Sequence, residues 1–291
     1  MKKIFIMKIV RLGSTETTLL FLTYLSKNHP LDPELKKHVS RTILSCVNWL
    51  YSTSGYYDKS VNGTHFNFDV RALTKNYFEF IKHLELAVSN CEITQFFVHE
   101  GFVMSLLNQC KNDFISKLNI HNFTILNGTE FQDRINDIFK LMDNKKVLAI
   151  SSFDGLIQQQ YKSGNLHKIY KNYPNIIKLE TIKFPYCFHN NGPHQNYFET
   201  LESVFNEIKN IDFDIAVLGC GAYGHMLCHK IDTELKKDAI YVGGSIQTLF
   251  GIISSREKEH GKIKYDKYWI SEIPDEYKPV NHKLIENGCY W

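Results

Sequence analysis

The chain has 291 residues, 43% of them hydrophobic and 22% charged, the profile of a soluble globular protein with enough length for a sizeable core. A net charge of +3 is too small to point to nucleic acid or a membrane surface, and no apolar run reaches the length of a bilayer span. The 7 cysteines are scattered without a C-x-x-C pair, which argues against a disulfide framework or a zinc ribbon and for a reducing, cytoplasmic setting.

Residues 4–12 read as a buried first strand, since Lys8 and Arg11 interrupt the apolar run that a signal peptide would need. Gly13-Ser14-Thr15-Glu16 forms the turn after it, and residues 17–25 continue as a helix with Ser14 or Thr15 as cap. A second helix is marked by Asp32 as cap and Pro33 in the first helical position, with Leu35, Val39, Ile43, Cys46 and Leu50 as its apolar stripe. Residues 70–88 repeat the helical period, 94–98 suit a strand and 101–107 a helix. Thr129 caps the next predicted helix, through Met142, and 147–151 form a buried strand ending in Ser152-Phe153-Asp154-Gly155. A helix over 156–161, a strand over 176–184 and an amphipathic helix over 198–208 follow.

The most informative stretch is 212–256. The short apolar strand 214–218 runs into Gly219-Cys220-Gly221-Ala222-Tyr223-Gly224, and a second strand, 239–242, runs into Gly243-Gly244. Two successive strand–glycine–helix units predict a Rossmann-like α/β fold with a mostly parallel sheet and a helix-rich N-terminal half. We read residues 1–291 as one α/β domain: 1–145 as the helix-rich half with the first strand, 146–256 as the nucleotide-binding units, 257–291 as a C-terminal tail.

The glycines have the G-x-G-x-x-G spacing of a dinucleotide site, but the next strand ends in Gly243-Gly244 where such a site needs a carboxylate for the ribose. The same absence weighs against an S-adenosylmethionine-dependent enzyme. What remains is either close helix–strand packing or a backbone cradle for a diphosphate at a helix N-terminus. In a parallel sheet the turns at Gly13–Glu16, Ser151–Gly155, Gly219–Gly224 and Gly243-Gly244 converge on one edge. Glu16 and Asp154 then become the candidate catalytic carboxylates, with Glu16 also the candidate metal ligand. The bland reading of Glu16 is a carboxylate that suits a helix N-terminus. His225 and His229, four apart on a predicted helix near Cys220 and Cys228, make half a zinc site with no second half. His189 and His194 lie in a polar loop.

Taken together, Arg11-Leu12-Gly13-Ser14-Thr15-Glu16, the segment Lys146 to Phe153 with Gln160-Tyr161, Phe213 to Gly224, Gly243 to Ile252 with Arg256, and the terminal Gly288-Cys289-Tyr290-Trp291 resemble the GT-D-type glycosyltransferase-like proteins of bacterial polysaccharide clusters. The resemblance implies transfer of a sugar from a nucleotide-diphosphate sugar to a glycan or other hydroxyl acceptor. It also implies donor contacts from Arg11, Gly13, Ser14, Gly219, Gly221, Tyr223, Gly224, Gly243, Gly244, Gln247 and Arg256, and a Mn²⁺ or Mg²⁺ ion at Glu16. The family's D-x-E turn stands here as Ser14-Thr15-Glu16, with one carboxylate where two are expected. A nucleotide-cofactor enzyme of another kind, and a nucleotide-sugar-binding protein without activity, are the alternatives. Neither nucleic acid nor a membrane span is expected, and self-association is left open.

Overall fold

The computed structural model describes residues 7–60, 70–89, 91, 93–98, 101–120, 123–126, 131–261 and 263–291. Seven strands form one sheet: β1 (Lys8–Leu12), β2 (Ile93–Phe97), β3 (Phe123–Leu126), β4 (Lys146–Ser151), β5 (Lys178–Lys183), β6 (Ile215–Gly219) and β7 (Asp238–Tyr241). Their order is β3-β2-β1-β7-β6-β4-β5, and every pairing is parallel. The helices, in chain order, are α1 (Ser14–Asn28), α2 (Pro33–Thr53), α3 (Val70–Val88), α4 (Gly101–Lys117), α5 (Phe131–Met142), α6 (Asp154–Lys162), α7 (Leu166–Ile169), α8 (Tyr197–Ile208), α9 (Gly224–Lys230), α10 (Ile246–Leu249) and α11 (Ser255–His260). The α/β, Rossmann-like expectation therefore stands, and the sheet draws strands from both halves of the chain. Strand β3 is an addition, and α4 runs ten residues past the predicted end at 107, to Lys117. The predicted cap Thr129 lies outside the described residues.

Strand alternation builds two cores. Val10 and Leu12, Leu148 and Ile150, Ala216 and Leu218, and Ala239 and Tyr241 face one core, shared with α1, α2, α3, α4, α8 and α9. Ile9, Val147 and Ala149, Ile215 and Val217, and Ile240 face the other, shared with α5, α6 and α10. With both faces covered, the strands read as continuous apolar runs, as parallel strands do.

Helix α1 occupies the middle of the first core. Every residue from Thr17 to Leu25 is buried, so it is apolar all round instead of striped. Its cap differs from expectation. Gly13 is the N-cap, in extended conformation with no side-chain cap, and Ser14 is already helical. Glu16, at the third helical position, bends its carboxylate back over Gly13, as in the reverse half of a capping box. Asp32, in contrast, caps α2 as its sequence predicts, accepting from the Leu35 amide at 2.9 Å.

His225 on α9 is fully buried, packed against Phe80 (5.6 Å) and Tyr241 (6.3 Å), and among the described residues neither ring nitrogen has a hydrogen-bond partner. Burial drives its pKa down to about 3, with a smaller push from His83. In the unfolded chain His225 takes up a proton below about pH 6.5 and in the fold it does not, so stability is complete above that pH and is lost as pH falls toward 3. We expect the His225→Phe protein to hold its stability at pH 7 and to flatten part of the loss between pH 6.5 and 4, by up to ~1.4 kcal/mol per pH unit, in urea titrations. His229, lowered to about 4, has the same sign and leaves a residual slope.

Candidate functional site

At the carboxyl edge, β4 sends its chain outward to β5 while its neighbour β6 sends its chain inward to β7, the kind of switch point where α/β sheets hold ligands. A cavity of about 490 Å³ opens there. Gly13, Phe153, Gly219 and Gly243, from four different strand ends, all line it, as the sequence predicts. Arg11, Ser14, Glu16, Gly221, Gly244 and Gln247 line it as well.

The glycines explain how the wall is built. Gly243 has φ +59°, and a Cβ there would sit 2.3 Å from Arg11 Nη1. A Cβ on Gly244 would meet Tyr290 at 2.9 Å and Arg256 Nη2 at 3.1 Å. The second glycine turn is thus bare because two guanidinium groups rest on it. Gly219 is bare because Ile246 and the Gly243 carbonyl press against it, at 2.3 and 2.7 Å from a Cβ. Gly221, at φ +55°, points its missing side chain at the Ser54 carbonyl, 2.7 Å away, and not into the cavity. The amide of Ala222 donates to that same carbonyl at 2.9 Å, which ties the first glycine turn to the end of α2.

Charge is concentrated in this cavity. Burial lowers the Arg11 pKa and Arg256 adds to that, while Tyr241, Glu16 and Tyr290 oppose it; the group remains a cation. Burial raises the Glu16 carboxyl, and the amides of Glu16 and Gly13, together with Arg11, pull it back. For Arg256 burial again pushes down, but Tyr290, Cys289 and the carboxylates of Glu257 and Glu286 outweigh it. Its guanidinium lies over the Tyr290 ring at 4.9 Å. Two cavity cysteines are held as neutral thiols, since burial pushes Cys187 up to about 12 and Cys220 higher still.

Arg256 and several other sequence candidates stand outside the cavity lining, and Gln247, which lines it, is engaged with backbone. Tyr223 is buried, stacked on Tyr197 at 4.3 Å, and donates to the Gly55 carbonyl at 2.9 Å. Gly224 is where the Tyr241 ring lies, 2.1 Å from a Cβ position. Asp154 stands outside the cavity lining, with its charge felt by Tyr186 and Tyr277. Gln247 turns its amide to the Tyr290 carbonyl at 2.7 Å. Of the loop histidines, His194 pairs with the Thr200 hydroxyl at 3.0 Å, and neither it nor His189 lines the cavity. His229 Nδ1 lies 3.3 Å from Lys8 Nζ, and among the described residues no group of three or more His, Cys, Asp or Glu could hold a metal, so the zinc half-site has no completion there.

Sequence reading missed much of the opposite wall: Trp49 at the end of α2, Tyr186 and Phe188 after β5, and Glu286, Tyr290 and Trp291. Two signals were present. Trp49 is a large aromatic left 42% exposed on α2, and the terminal Tyr-Trp pair belongs to the quoted resemblance without a place in it.

Residues 193–249 match the family model described as a GT-D fold-like domain, which supports a GT-D-type glycosyltransferase-like protein. That stretch holds α8, β6, the first glycine turn, α9, β7 and the second glycine turn; Arg11 to Glu16 and Arg256 to Trp291 lie beyond it. No curated protein and no solved structure matches the chain. No described helix is long and apolar enough to cross a membrane.

Gly221→Ala should lower stability by about 1–3 kcal/mol in urea titrations, from the left-handed backbone and the clash with the Ser54 carbonyl. Gly101→Ala, with open space around its Cβ, should be neutral or mildly stabilising.

Proposed function

We propose that the cavity binds a nucleotide-diphosphate sugar and transfers its sugar to a hydroxyl acceptor. One observation carries this reading: Arg11, which lines the cavity beside Gly13 and Ser14, and Arg256, which stands outside the lining, both lie against the Gly243-Gly244 turn. Two guanidinium groups against bare glycine backbone would make an anion cradle for a diphosphate. The family match over both glycine turns supports it. In the transfer, the bond from the anomeric carbon to the diphosphate breaks and negative charge collects on the leaving phosphate. Arg11 and Arg256, partly withdrawn from water and already in place, stabilise that charge with little reorganisation.

The Mn²⁺ or Mg²⁺ expected at Glu16 has a single carboxylate on the protein side, and that carboxylate is folded onto Gly13 near Arg11. These residues fit an ion carried in by the donor's phosphates better than one held by the protein alone. Glu16 and the Ser14 hydroxyl would be its protein ligands, and the ion would supply further neutralisation of the diphosphate. We place the reaction in the cytoplasm, a reading that the seven free cysteines support. An S-adenosylmethionine enzyme is disfavoured because a cationic cradle repels a sulfonium.

Calorimetry of the full chain with uridine, guanosine and thymidine diphosphates, with and without Mn²⁺, should find one that binds. Arg256→Ala should weaken that binding by roughly 10- to 100-fold, the worth of a charge-assisted contact. Binding of S-adenosylmethionine alone would overturn the reading.

A further inference from the structure

Only two carboxylates line the cavity among the described residues, Glu16 and Glu286. Their settings differ. Glu16 is 7% exposed, and its Oε2 lies 2.5 Å from where a Gly13 Cβ would stand. Burial raises its pKa, and the Glu16 amide, the charge of Arg11 and the Gly13 amide pull it part of the way back. Such a carboxylate caps α1 and steadies Arg11, so it already has a structural task.

Glu286 is solvent-exposed and comes from the segment that closes the far side of the cavity. It has φ +45°, followed by Asn287 at +56° and Gly288 at +77°. Three successive left-handed residues, two of them not glycine, store strain of about 1–2 kcal/mol each at the non-glycine positions. The surrounding bonds hold them there. The Gly288 amide donates to the Ile285 carbonyl at 2.7 Å, Ile285 is buried, and the Arg256 amide donates to the Cys289 carbonyl at 3.0 Å. Gln247 Nε2 grips the Tyr290 carbonyl, and Ser255 Oγ donates to the backbone oxygen of Trp291. Strain kept in place by this many contacts, at the mouth of a cavity, marks a position selected for its side chain. The carboxylate itself receives only the weak thiol donor of Cys289, at 3.1 Å on Oε2, among the described residues.

Beside it stands an aromatic wall. The rings of Tyr186, Phe188 and Trp291, all cavity-lining, lie within 5.7–6.2 Å of one another. These tilted rings offer apolar faces to the C–H face of a sugar ring, while the Tyr186 hydroxyl donates to the Tyr277 carbonyl at 2.6 Å and lies 3.5 Å from the Trp291 indole nitrogen.

We propose that Glu286 is the catalytic base of the transfer and that the acceptor is a saccharide whose ring lies against the Trp291 wall. This rests on the glycosyl-transfer reading given above. The acceptor O–H gives its proton to the Glu286 carboxylate while its oxygen bonds to the donor's anomeric carbon. The bond from that carbon to the diphosphate breaks, and the electron pair leaves with the nucleoside diphosphate. Glu286, being exposed, returns the proton to solvent.

The test uses the full chain with a donor found by screening nucleotide sugars, scored by transfer to a saccharide panel and by donor hydrolysis. Glu286→Gln should lower kcat at least ~100-fold and erase the acid limb of the pH–rate profile, with nucleoside diphosphate affinity unchanged within about 2-fold. Glu286→Gly, which suits the left-handed turn, should keep or raise thermal stability and lose the same turnover. Trp291→Leu should raise the acceptor KM about 3- to 10-fold with little change in kcat. If wild type turns over and either Glu286 variant keeps its rate, the base assignment is wrong while glycosyl transfer stands. Loss of nucleotide affinity together with rate would likewise overturn it, by showing a structural role. If wild type binds no nucleotide and cleaves no nucleotide sugar, the underlying reading fails first.

Discussion

The cavity depends on holding one charge, the Arg11 guanidinium, partly withdrawn from solvent at the end of a central strand. Its Nε is shut off from water, and burial is the largest influence on its ionisation. A buried cation is costly unless compensated. Compensation comes from Tyr241, from Glu16 one turn into α1, and from Tyr290. Space comes from Gly243, where any side chain would displace the guanidinium. Tyr241 then joins the two glycine turns, because its hydroxyl donates to the Gly221 carbonyl at 2.8 Å while its ring covers Gly224. A strand residue, a helix cap and two turns far apart in sequence are thus mutually dependent.

Much of this fold was legible because its signals are local. Short apolar runs that end in glycine, Asp32-Pro33 at a helix start, and the 3.6-residue period in α2, α3 and α8 need no knowledge of partners. Strand β3 escaped because it is a four-residue edge strand, FTIL, too short to show a period. The cap of α1 was misread for a related reason. Ser14 and Thr15 are good caps in isolation, but Glu16 folding back over Gly13 does that work and leaves both inside the helix.

In the site, the glycines were legible as close approaches, but what approaches them was not. For Gly221 the neighbour is the Ser54 carbonyl, for Gly243 it is Arg11, and for Gly244 it is Arg256 with Tyr290. None of these pairings has a local sequence signal. The wall built by Trp49, Tyr186, Phe188 and Trp291 is less legible still, since it is assembled from three segments that meet only through packing. Tyr223 illustrates the opposite error. Within a glycine motif it looks like a ligand contact, yet its ring is core and its hydroxyl is spent on Gly55.

The serine at position 14 has a physical consequence for the cradle. A second carboxylate there would sit at the first helical position of α1, where the helix dipole favours it. On the proposed reading it would also stand among the donor's phosphate oxygens, a repulsion that a divalent cation would offset. With Ser14 the turn contributes a hydroxyl and no charge, and Glu16 is already matched to Arg11. On our reading this moves the work of neutralising a diphosphate from a metal toward the guanidinium pair. The positions of Arg11 and Arg256 fit that shift, since both are partly withdrawn from water and both are fixed on backbone that carries no side chain. Fixed, desolvated guanidinium groups stabilise developing charge more strongly than solvated ones. A cradle built this way holds its geometry before ligand arrives, which a site assembled around an incoming ion does not.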